Sequence, residues 1–311
     1  MNSFPTESEG NTDDAFRAGF IAVVGRPNVG KSTLLNRIMD TKLAAVSPRP
    51  QTTHVRMLGV LNREAYQAAF LDTPGYIGRA RDEMDRRMSQ EGARALEEAD
   101  VAVLVVEPRT PGDVERYFAE DLVRRGIPAI VAINKVDSVA KEALLPVIEA
   151  YSRLDAFVEI VPISALRSDG IGLLMELVVK RLPEAGPMFP PDQITDRSER
   201  FRVIEMVREK LFRLFYQELP YATAVTIDEW VDESTNHGGK THIAIRIHPE
   251  KDSQRLILLG KGGLALKEVG VQARGDIETL LGKQIFLELW VKARPQWRRD
   301  PAFLRQLGMA D

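Results

Sequence analysis

The chain has 311 residues, of which 44% are hydrophobic and 28% charged, with a formal net charge of -3 and no cysteine. At about 150 residues per domain, this length predicts roughly two domains, each able to bury its own core. The composition is that of a globular protein and excludes a largely disordered chain, and the lack of cysteine excludes disulfides, thiol catalysis and thiolate metal sites.

The N-terminal segment, residues 1–16, is polar and acidic and has neither the basic nor the apolar region of a signal peptide. We therefore expect a disordered tail here and a cytoplasmic location for the protein. No apolar run in the sequence reaches the roughly 18 residues of a membrane-spanning helix, so no such span is expected.

Residues 17–182 alternate short apolar runs with amphipathic stretches, and their periods distinguish strands from helices. Strands are predicted over residues 20–24, 55–61, 68–71, 101–106, 129–133 and 157–163, and helices over 31–39, 85–98, 114–125, 140–154 and 171–182. Such alternation needs crossover connections, so it predicts an α/β domain whose mostly parallel six-stranded sheet carries helices on both faces. The short link between the second and third strands predicts an antiparallel hairpin at one sheet edge.

Four prolines within residues 183–191 interrupt the alternation, and we interpret residues 183–199 as a linker. The changed order of elements beyond it predicts a second domain, of the α+β class, over residues 200–311. Its predicted elements are a helix at 200–217, strands at 222–231 and 241–248, a strand-like run at 255–259, a helix at 264–281 and a strand at 284–293. Residues 198–311 hold 18 basic and 16 acidic side chains, against 24 and 29 in residues 1–197, which fits nucleic-acid binding without establishing it.

Residues 25–32 read GRPNVGKS and match G-x-x-x-x-G-K-[ST] directly between a predicted strand and a predicted helix. Backbone N–H groups of such a loop point at phosphate oxygens, and the helix N-terminus adds a favourable dipole. We expect Lys31 to meet the β- and γ-phosphates and the Ser32 hydroxyl to ligate Mg²⁺. The predicted phosphate-binding residues are Gly25, Arg26, Pro27, Asn28, Val29, Gly30, Lys31, Ser32 and Thr33.

The segment Asp72-Thr73-Pro74-Gly75 closes the third predicted strand. An aspartate here would hold Mg²⁺ through water, and the Gly75 N–H could sense a γ-phosphate. The next residue is Tyr76, whereas Ras-like GTPases carry a water-orienting glutamine at this position. No catalytic glutamine is therefore visible where one is usually found.

The sequence Asn134-Lys135-Val136-Asp137 has the form N-K-x-D and follows the fifth predicted strand. Its aspartate can accept hydrogen bonds from N1–H and the 2-amino group of guanine, a donor pair that adenine lacks, so the motif selects GTP over ATP. Ser164 and Ala165 follow the sixth predicted strand and complete the set of residues expected around the purine base. The predicted base-binding residues are Asn134, Lys135, Asp137, Ser164 and Ala165.

A loop with two prolines and two threonines, residues 47–54, lies between the phosphate loop and Asp72. We interpret it as a switch loop, in which Thr52 or Thr53 ligates Mg²⁺ while a γ-phosphate is present and is released after hydrolysis.

With these motifs, residues 17–182 resemble the Era-type GTPases, and the resemblance continues through most of the chain. Residues 194–201 resemble the junction of that family, Gly260-Lys261-Gly262-Gly263 resembles the GxxG loop of its KH domain, and residues 287–292 resemble the last KH strand. The resemblance implies a type II KH domain after the GTPase domain, with a short helix instead of a strand at residues 255–259.

The resemblance also implies function. It implies that the protein is a GTP switch that binds small-subunit (16S) ribosomal RNA near its 3′ end and acts in 30S subunit assembly and rRNA maturation.

The resemblance further implies slow hydrolysis stimulated by K⁺, with Asn28 helping to hold that ion, and Thr53 as the threonine that ligates Mg²⁺. The residues expected to act in catalysis are Lys31, Asn28, Thr53 and Gly75. His54 stands where the family commonly has arginine. Peripheral contact with the inner face of the cell membrane and a monomeric state are also expected.

A GxxG loop between two helices lets a nucleic-acid backbone approach closely, while the adjoining groove reads single-stranded bases. Lys261 suits a phosphate, and cations on the following helix would extend the charge. The predicted RNA-binding residues are Gly260, Lys261, Gly262, Gly263, Lys267 and Arg274. A basic and aromatic C-terminal set could contact RNA or be solvated: Lys292, Arg294, Trp297, Arg298 and Arg299.

Two other functions stay open. One is a constitutive RNA-binding protein whose nucleotide domain is only structural, and the other is a related GTPase acting on another RNA. The complete set of phosphate, Mg²⁺ and guanine motifs argues against the first. The single GTPase domain and the C-terminal KH pattern argue against the second.

Overall fold

A computed structural model describes residues 15–45, 56–75, 82–234 and 239–309. The chain divides into two compact units, one formed mainly by residues before 197 and the other mainly by residues from 197 onward. No helix within these described ranges is long and apolar enough to cross a membrane.

The first unit contains a six-stranded sheet. Its strands are β1 (Arg17–Val24), β2 (Met57–Asn62), β3 (Tyr66–Asp72), β4 (Val101–Val106), β5 (Ala129–Ile133) and β6 (Glu159–Pro162), in the order β2-β3-β1-β4-β5-β6. Only β2 and β3 pair antiparallel, and all other neighbours are parallel. The predicted mostly parallel sheet and its edge hairpin are therefore confirmed.

Four helices connect these strands and a fifth follows β6: α1 (Lys31–Ile38), α2 (Glu83–Glu98), α3 (Asp113–Arg125), α4 (Leu144–Ser152) and α5 (Ile171–Val179). The predicted helix 140–154 is shorter than expected, because its first part is a 3₁₀ turn at Lys141–Ala143. Pro146 explains the late start of α4, since proline has no N–H to donate and is tolerated only in the first turn of a helix. The predicted strand 157–163 is likewise reduced to the four residues of β6.

Most of the predicted linker is bonded to the first unit. The Ala18 N–H donates to the Pro183 carbonyl at 3.1 Å, and the Val60 N–H donates to the Ile194 carbonyl at 2.9 Å. The buried Gln67 carboxamide accepts from the Phe189 N–H at 2.8 Å. Residues 183–196 thus belong to the first unit, and the main part of the second unit begins at residue 197.

The second unit is α+β. It comprises α6 (Glu199–Leu214), β7 (Thr223–Ser234), β8 (Lys240–Pro249), α7 (Asp252–Leu259), α8 (Leu264–Leu281), β9 (Ile285–Val291) and α9 (Pro301–Gln306). Strand β8 is central, antiparallel to β7 and parallel to β9. The short helix implied by the family resemblance is present as α7, although its local sequence favours a strand.

One apolar core holds the second unit together. Val203 and Val207 of α6, Val269 and Ile277 of α8, and Ile245 of β8 are all fully buried in it. Two helices therefore cover one face of the sheet, and α7 and α8 are fixed at the two ends of the glycine-rich loop.

Candidate functional site

The motifs of the first unit meet at one edge of its sheet. Strand β1 lies between β3 and β4 and is parallel to both, with Val23 paired to Asp72 and Val24 paired to Leu104. The phosphate loop follows β1, the Asp72 segment ends β3, and the residues from 134 onward follow β5, which is parallel to β4, so all three lie at the carboxyl ends of parallel strands. This is the edge where open α/β sheets bind ligands.

The phosphate loop can close only because two of its positions are glycine. Gly25 and Gly30 have φ values of 143° and 101°, which other residues rarely adopt. A Cβ atom on Gly25 would lie 2.3 Å from the Val105 carbonyl oxygen, and one on Gly30 would lie 2.3 Å from Asn134 Nδ2. The loop therefore packs directly against β4 and the N-K-x-D segment.

Lys31 is buried at the start of α1. Its ammonium group donates to the carbonyl oxygens of Gly25 at 3.1 Å and Arg26 at 2.9 Å. Burial lowers the pKa of Lys31 to about 8, and the nearby Asp72 charge only partly opposes this. A phosphate placed in the loop would supply the counter-charge that this ammonium group lacks.

Ser32 and Asp72 form the second polar pair of the site. The Ser32 hydroxyl donates to Asp72 Oδ2 at 2.9 Å. Asp72 is fully buried, its Oδ1 accepts no hydrogen bond from any described residue, and burial raises its pKa to about 6. A buried carboxylate oxygen without a partner beside a hydroxyl oxygen fits a hard cation such as Mg²⁺.

The residues after Asp72 lie against the phosphate loop. The Thr73 hydroxyl donates to the Val23 carbonyl at 2.8 Å. A Cβ atom on Gly75 would lie 2.7 Å from the N and Cα atoms of Pro27, so only glycine fits there. The predicted switch-loop residues Thr52, Thr53 and His54, together with Tyr76, lie outside the described residues.

Asn134 and Lys135 connect the base-binding segments to the phosphate loop. Asn134 Nδ2 donates to the Val29 carbonyl at 2.8 Å, and Asn134 Oδ1 accepts from the Ala165 N–H at 2.9 Å. Lys135 Nζ donates to the Asn28 carbonyl and to Glu107 Oε1, both at 2.7 Å. The N-K-x-D segment therefore fixes the phosphate loop and also the loop that carries Ser164 and Ala165.

The carboxylate predicted to read guanine has a fixed orientation. The buried Ser164 hydroxyl donates to Asp137 Oδ1 at 2.6 Å. This hydrogen bond is the main cause of the lowered pKa of Asp137, which keeps the group ionised. An ionised carboxylate held in one orientation can accept two N–H donors from one edge of a base.

The glycine-rich loop of the second unit joins α7 to α8, with Gly260, Gly262 and Gly263 at φ values of 68°, 60° and 80°. A Cβ atom on Gly260 would lie 2.7 Å from the Ala265 Cβ, whereas one on Gly262 or Gly263 would meet no atom within 4 Å. The space beyond the last two glycines is therefore open to an approaching backbone.

A groove of about 410 Å³ runs from this loop between α8 and β9. Lys267 and Arg274, both predicted to bind RNA, line it together with Gly263, and so does Lys240 from β8. Its apolar lining includes Leu266, Leu287 and Leu289, and Phe286 also contributes. Lys240 and Phe286 were not predicted, because only the fold brings them beside α8.

The C-terminal basic and aromatic set separates into different roles. Trp297 is 1% exposed, and its indole N–H donates to the Ala222 carbonyl at 3.1 Å, so it belongs to the core. The Arg294 guanidinium pairs with Asp300 at 2.8 Å and lies 3.9 Å from the centre of the Phe303 ring. Neither Arg294 nor Trp297 lines the groove.

Two family models match the chain. The "50S ribosome-binding GTPase" model matches residues 20–135, and the "KH domain" model matches residues 218–298. GTPase Era of Lactobacillus helveticus is 42% identical over 293 residues, which cover 94% of this chain and 96% of that protein. GTPase Era of Geotalea uraniireducens is 43% identical over 298 residues, which cover 96% and 99%.

Two solved structures are also similar. One is Era in complex with MgGDPNP and nucleotides 1506–1542 of 16S ribosomal RNA, with a TM-score of 0.91, 37% identity, and coverage of 95% of this chain and 100% of that one. The other is an Aquifex aeolicus Era variant bound to GDP·AlF₄⁻, with a TM-score of 0.90, 38% identity and the same coverage.

Proposed function

This chain belongs to the Era family of GTPases, and from that premise we propose that it is a GTP-hydrolysing switch that binds 16S ribosomal RNA near its 3′ end during 30S subunit assembly and rRNA maturation. The observation that carries the proposal is the convergence of all four nucleotide motifs on one sheet edge of the first unit. A groove with cationic and apolar lining in the second unit supports the RNA-binding part.

We assign nucleotide binding to the residues predicted from the motifs. The phosphate loop would bind the phosphates through its backbone N–H groups and Lys31, and Asp137 would bind guanine. Asn134, Lys135, Ser164 and Ala165 hold the base-binding segments in place through the hydrogen bonds described above.

Mg²⁺ fits the pair of Ser32 and Asp72, because Asp72 Oδ1 has no hydrogen-bond partner among the described residues. Thr53, from the predicted switch loop, would be the third protein group at the ion. When bound, the ion neutralises charge on the β- and γ-phosphates. Release of Thr53 from the ion after hydrolysis would then make the switch loop, residues 47–54, sensitive to the γ-phosphate.

We propose slow intrinsic hydrolysis, because the usual position of the water-orienting glutamine is occupied by Tyr76. Transition-state charge would then be stabilised mainly by Lys31, the loop N–H groups and Gly75. K⁺ stimulation through Asn28 is part of this proposal. Its support is that Asn28 has φ 65° and that its carbonyl is held by Lys135, so the residue has a defined position at the phosphate loop.

The groove beside the glycine-rich loop would bind single-stranded RNA. Lys261, Lys267 and Arg274 would meet phosphates, and Gly262 and Gly263 would admit the backbone. The relative with a TM-score of 0.91 was solved with a fragment of 16S ribosomal RNA, which makes that RNA the first candidate for this chain. A cytoplasmic location, a monomeric state and peripheral membrane contact stay predictions from sequence and resemblance.

The test is crosslinking of the full chain to small-subunit RNA in its GDPNP and GDP forms, followed by mapping of the sites. Strong crosslinks at the RNA 3′ end with GDPNP and weak ones with GDP are expected. Equal crosslinks in both forms would favour the constitutive RNA-binding protein. Crosslinks only at other RNAs would favour the related GTPase with a different target. GTP turnover measured in parallel separates an active switch from a purely structural nucleotide domain.

A further inference from the structure

The side chain of the second P-loop residue, Arg26, binds an acid on α3. Arg26 Nε donates to Glu115 Oε1 at 2.6 Å, and Arg26 Nη2 donates to Glu115 Oε2 at 3.1 Å. This is the bidentate arrangement that gives an arginine–carboxylate pair both strength and a fixed direction. No motif of the sequence includes Glu115.

Glu115 is itself held in place. It lies in the first turn of α3, where its Oε2 also accepts from the Gly112 N–H at 3.0 Å. Its side chain is 5% exposed, and burial alone would raise its pKa. The hydrogen bonds from Arg26, from its own N–H and from Gly112 outweigh that effect and leave the pKa lowered. The carboxylate therefore stays ionised, with three hydrogen bonds from Arg26 and Gly112 and a further one from its own N–H.

The space around the Arg26 guanidinium depends on a glycine, Gly112. A Cβ atom on Gly112 would lie 3.2 Å from Arg26 Nη2 and 3.3 Å from Glu115 Oε2. Such a contact is tighter than ordinary packing, so the backbone before α3 leaves just enough room for the ion pair.

Through this pair, α3 holds the part of the phosphate loop that we call the P-loop crest, residues 26–28. The carbonyl of Arg26 accepts from Lys31 Nζ at 2.9 Å, so the position of Arg26 bears directly on the ammonium group. At the other end of the crest, the Asn28 carbonyl accepts from Lys135. Gly75 packs on Pro27 between them. Glu115 thus fixes one end of a segment that faces both Lys31 and the Gly75 turn.

We infer that Glu115 is a positioning residue for GTP hydrolysis, which acts by holding Arg26 and with it the P-loop crest. The inference rests on the proposed GTPase function. The described hydrogen bonds of Glu115 go to Arg26 and Gly112 and none goes to Lys31, so its effect would pass through Arg26. Catalysis by preorganised donors is sensitive to small displacements, whereas binding of the whole nucleotide is shared among many contacts. Loss of the pair should therefore lower kcat more than nucleotide affinity.

The experiment uses Glu115→Gln, Arg26→Met and the double variant of the full chain. A glutamine amide offers only one acceptor oxygen, and its NH₂ group would face the donors of Arg26 or Gly112. Each single variant should lose about tenfold in kcat, with KM and GDP affinity changed by less than about threefold. The double variant should be no worse than either single one, because both remove the same pair.

A matched control comes from the same helix. Asp121 is 4% exposed and pairs with Arg124 and Arg125, but neither partner belongs to the phosphate loop. Asp121→Asn therefore removes a buried acid of α3 at similar structural cost and should leave kcat unchanged. The ³¹P resonances of bound GDPNP should shift in Glu115→Gln and Arg26→Met and stay in place in Asp121→Asn.

Each outcome decides the inference. Turnover by the wild type with unchanged kcat in Glu115→Gln and Arg26→Met would refute the positioning role and leave the GTPase function intact. Equal losses in Asp121→Asn would assign the effect to helix stability instead. If Glu115→Gln fails to fold, Arg26→Met still tests the pair, because the Arg26 side chain is 32% exposed and Arg26 lies outside α3. Absence of turnover in the wild type would refute the proposed function itself.

Discussion

Replacing Asp72 with asparagine should stabilise the nucleotide-free protein while removing its ability to bind Mg²⁺ with GTP. Burial raises the pKa of Asp72 from 3.8 to about 6, against the opposing effects of Lys31 and of the hydrogen bond from Ser32. Because the pKa is higher in the folded state than in the unfolded state, ionisation of Asp72 disfavours folding. Each tenfold change in the acid dissociation constant corresponds to about 1.4 kcal/mol, so the rise from 3.8 to about 6 corresponds to about 3 kcal/mol.

This destabilisation depends on pH with a definite sign. Well below pH 3.8 Asp72 is protonated in both the folded and the unfolded state, so its ionisation has no effect on stability. As the pH rises from 3.8 to about 6, the unfolded state ionises first and the folded protein loses stability. The full effect is present above about pH 6, and about half of it is present at about pH 5.

The assay is denaturant unfolding of wild type and Asp72→Asn, without nucleotide and in EDTA, at about pH 7.5 and about pH 5. The variant should be more stable by up to about 3 kcal/mol at the higher pH and by about half as much at the lower one. Asp137→Asn is the control with opposite sign, because the lowered pKa of Asp137 means that its charge favours the folded state. A less stable Asp72→Asn at the higher pH, or a gain independent of pH, would refute the reasoning.

Three further predictions concern the two candidate binding sites. Asp137→Asn should weaken GTP binding about 100-fold, because an amide cannot accept both guanine donors. Xanthosine triphosphate has an oxygen in place of the 2-amino group and should bind the variant better than GTP does. Equal affinities of the variant for the two nucleotides in calorimetry would contradict the guanine assignment. Gly30→Ala should abolish GTP binding and lower Tm, because its Cβ would lie 2.3 Å from Asn134 Nδ2; an unchanged Tm would contradict the packing argument. Lys267→Ala or Arg274→Ala should weaken RNA binding and reduce the slope of log K against log salt by roughly 0.7. As a control, each variant should hydrolyse GTP at the wild-type rate. An unchanged slope would place that side chain away from phosphate.

The meeting of the nucleotide motifs at one site was predictable, because a parallel sheet brings the carboxyl ends of its strands to one edge. A P-loop after β1, an aspartate at the end of β3 and an N-K-x-D segment after β5 must then meet, whatever the lengths of the connections. The start of α4 was not predicted correctly, because apolar spacing continues through residues 140–143 and only the place of Pro146 in the first turn limits the helix.

Contacts between distant segments could not be read from local patterns. The hydrogen bonds of the linker to β2 join residues more than a hundred positions apart, and a proline-rich composition indicates only that no helix or strand forms. Glu115 was missed for the same reason, since in sequence it is one of two acids in the first turn of a helix. The sequence predicts the glycines only as a group, whereas the structure separates their roles. Gly30 is needed because a Cβ atom there would lie against Asn134, and Gly262 is needed because it leaves open space beside the loop.

The nucleotide site is built from charges that burial disfavours. Burial moves the pKa of Lys31 down to about 8 and that of Asp72 up to about 6, so each group is shifted toward its neutral form. Each opposes the shift of the other, but neither shift is cancelled, because the two do not form a direct ion pair and Lys31 Nζ bonds to carbonyl oxygens instead. A phosphate beside Lys31 and a cation beside Asp72 would restore both charged forms. Binding of the nucleotide with Mg²⁺ should therefore stabilise the first unit beyond the contacts it adds, and it should take up protons at Lys31 and release them at Asp72.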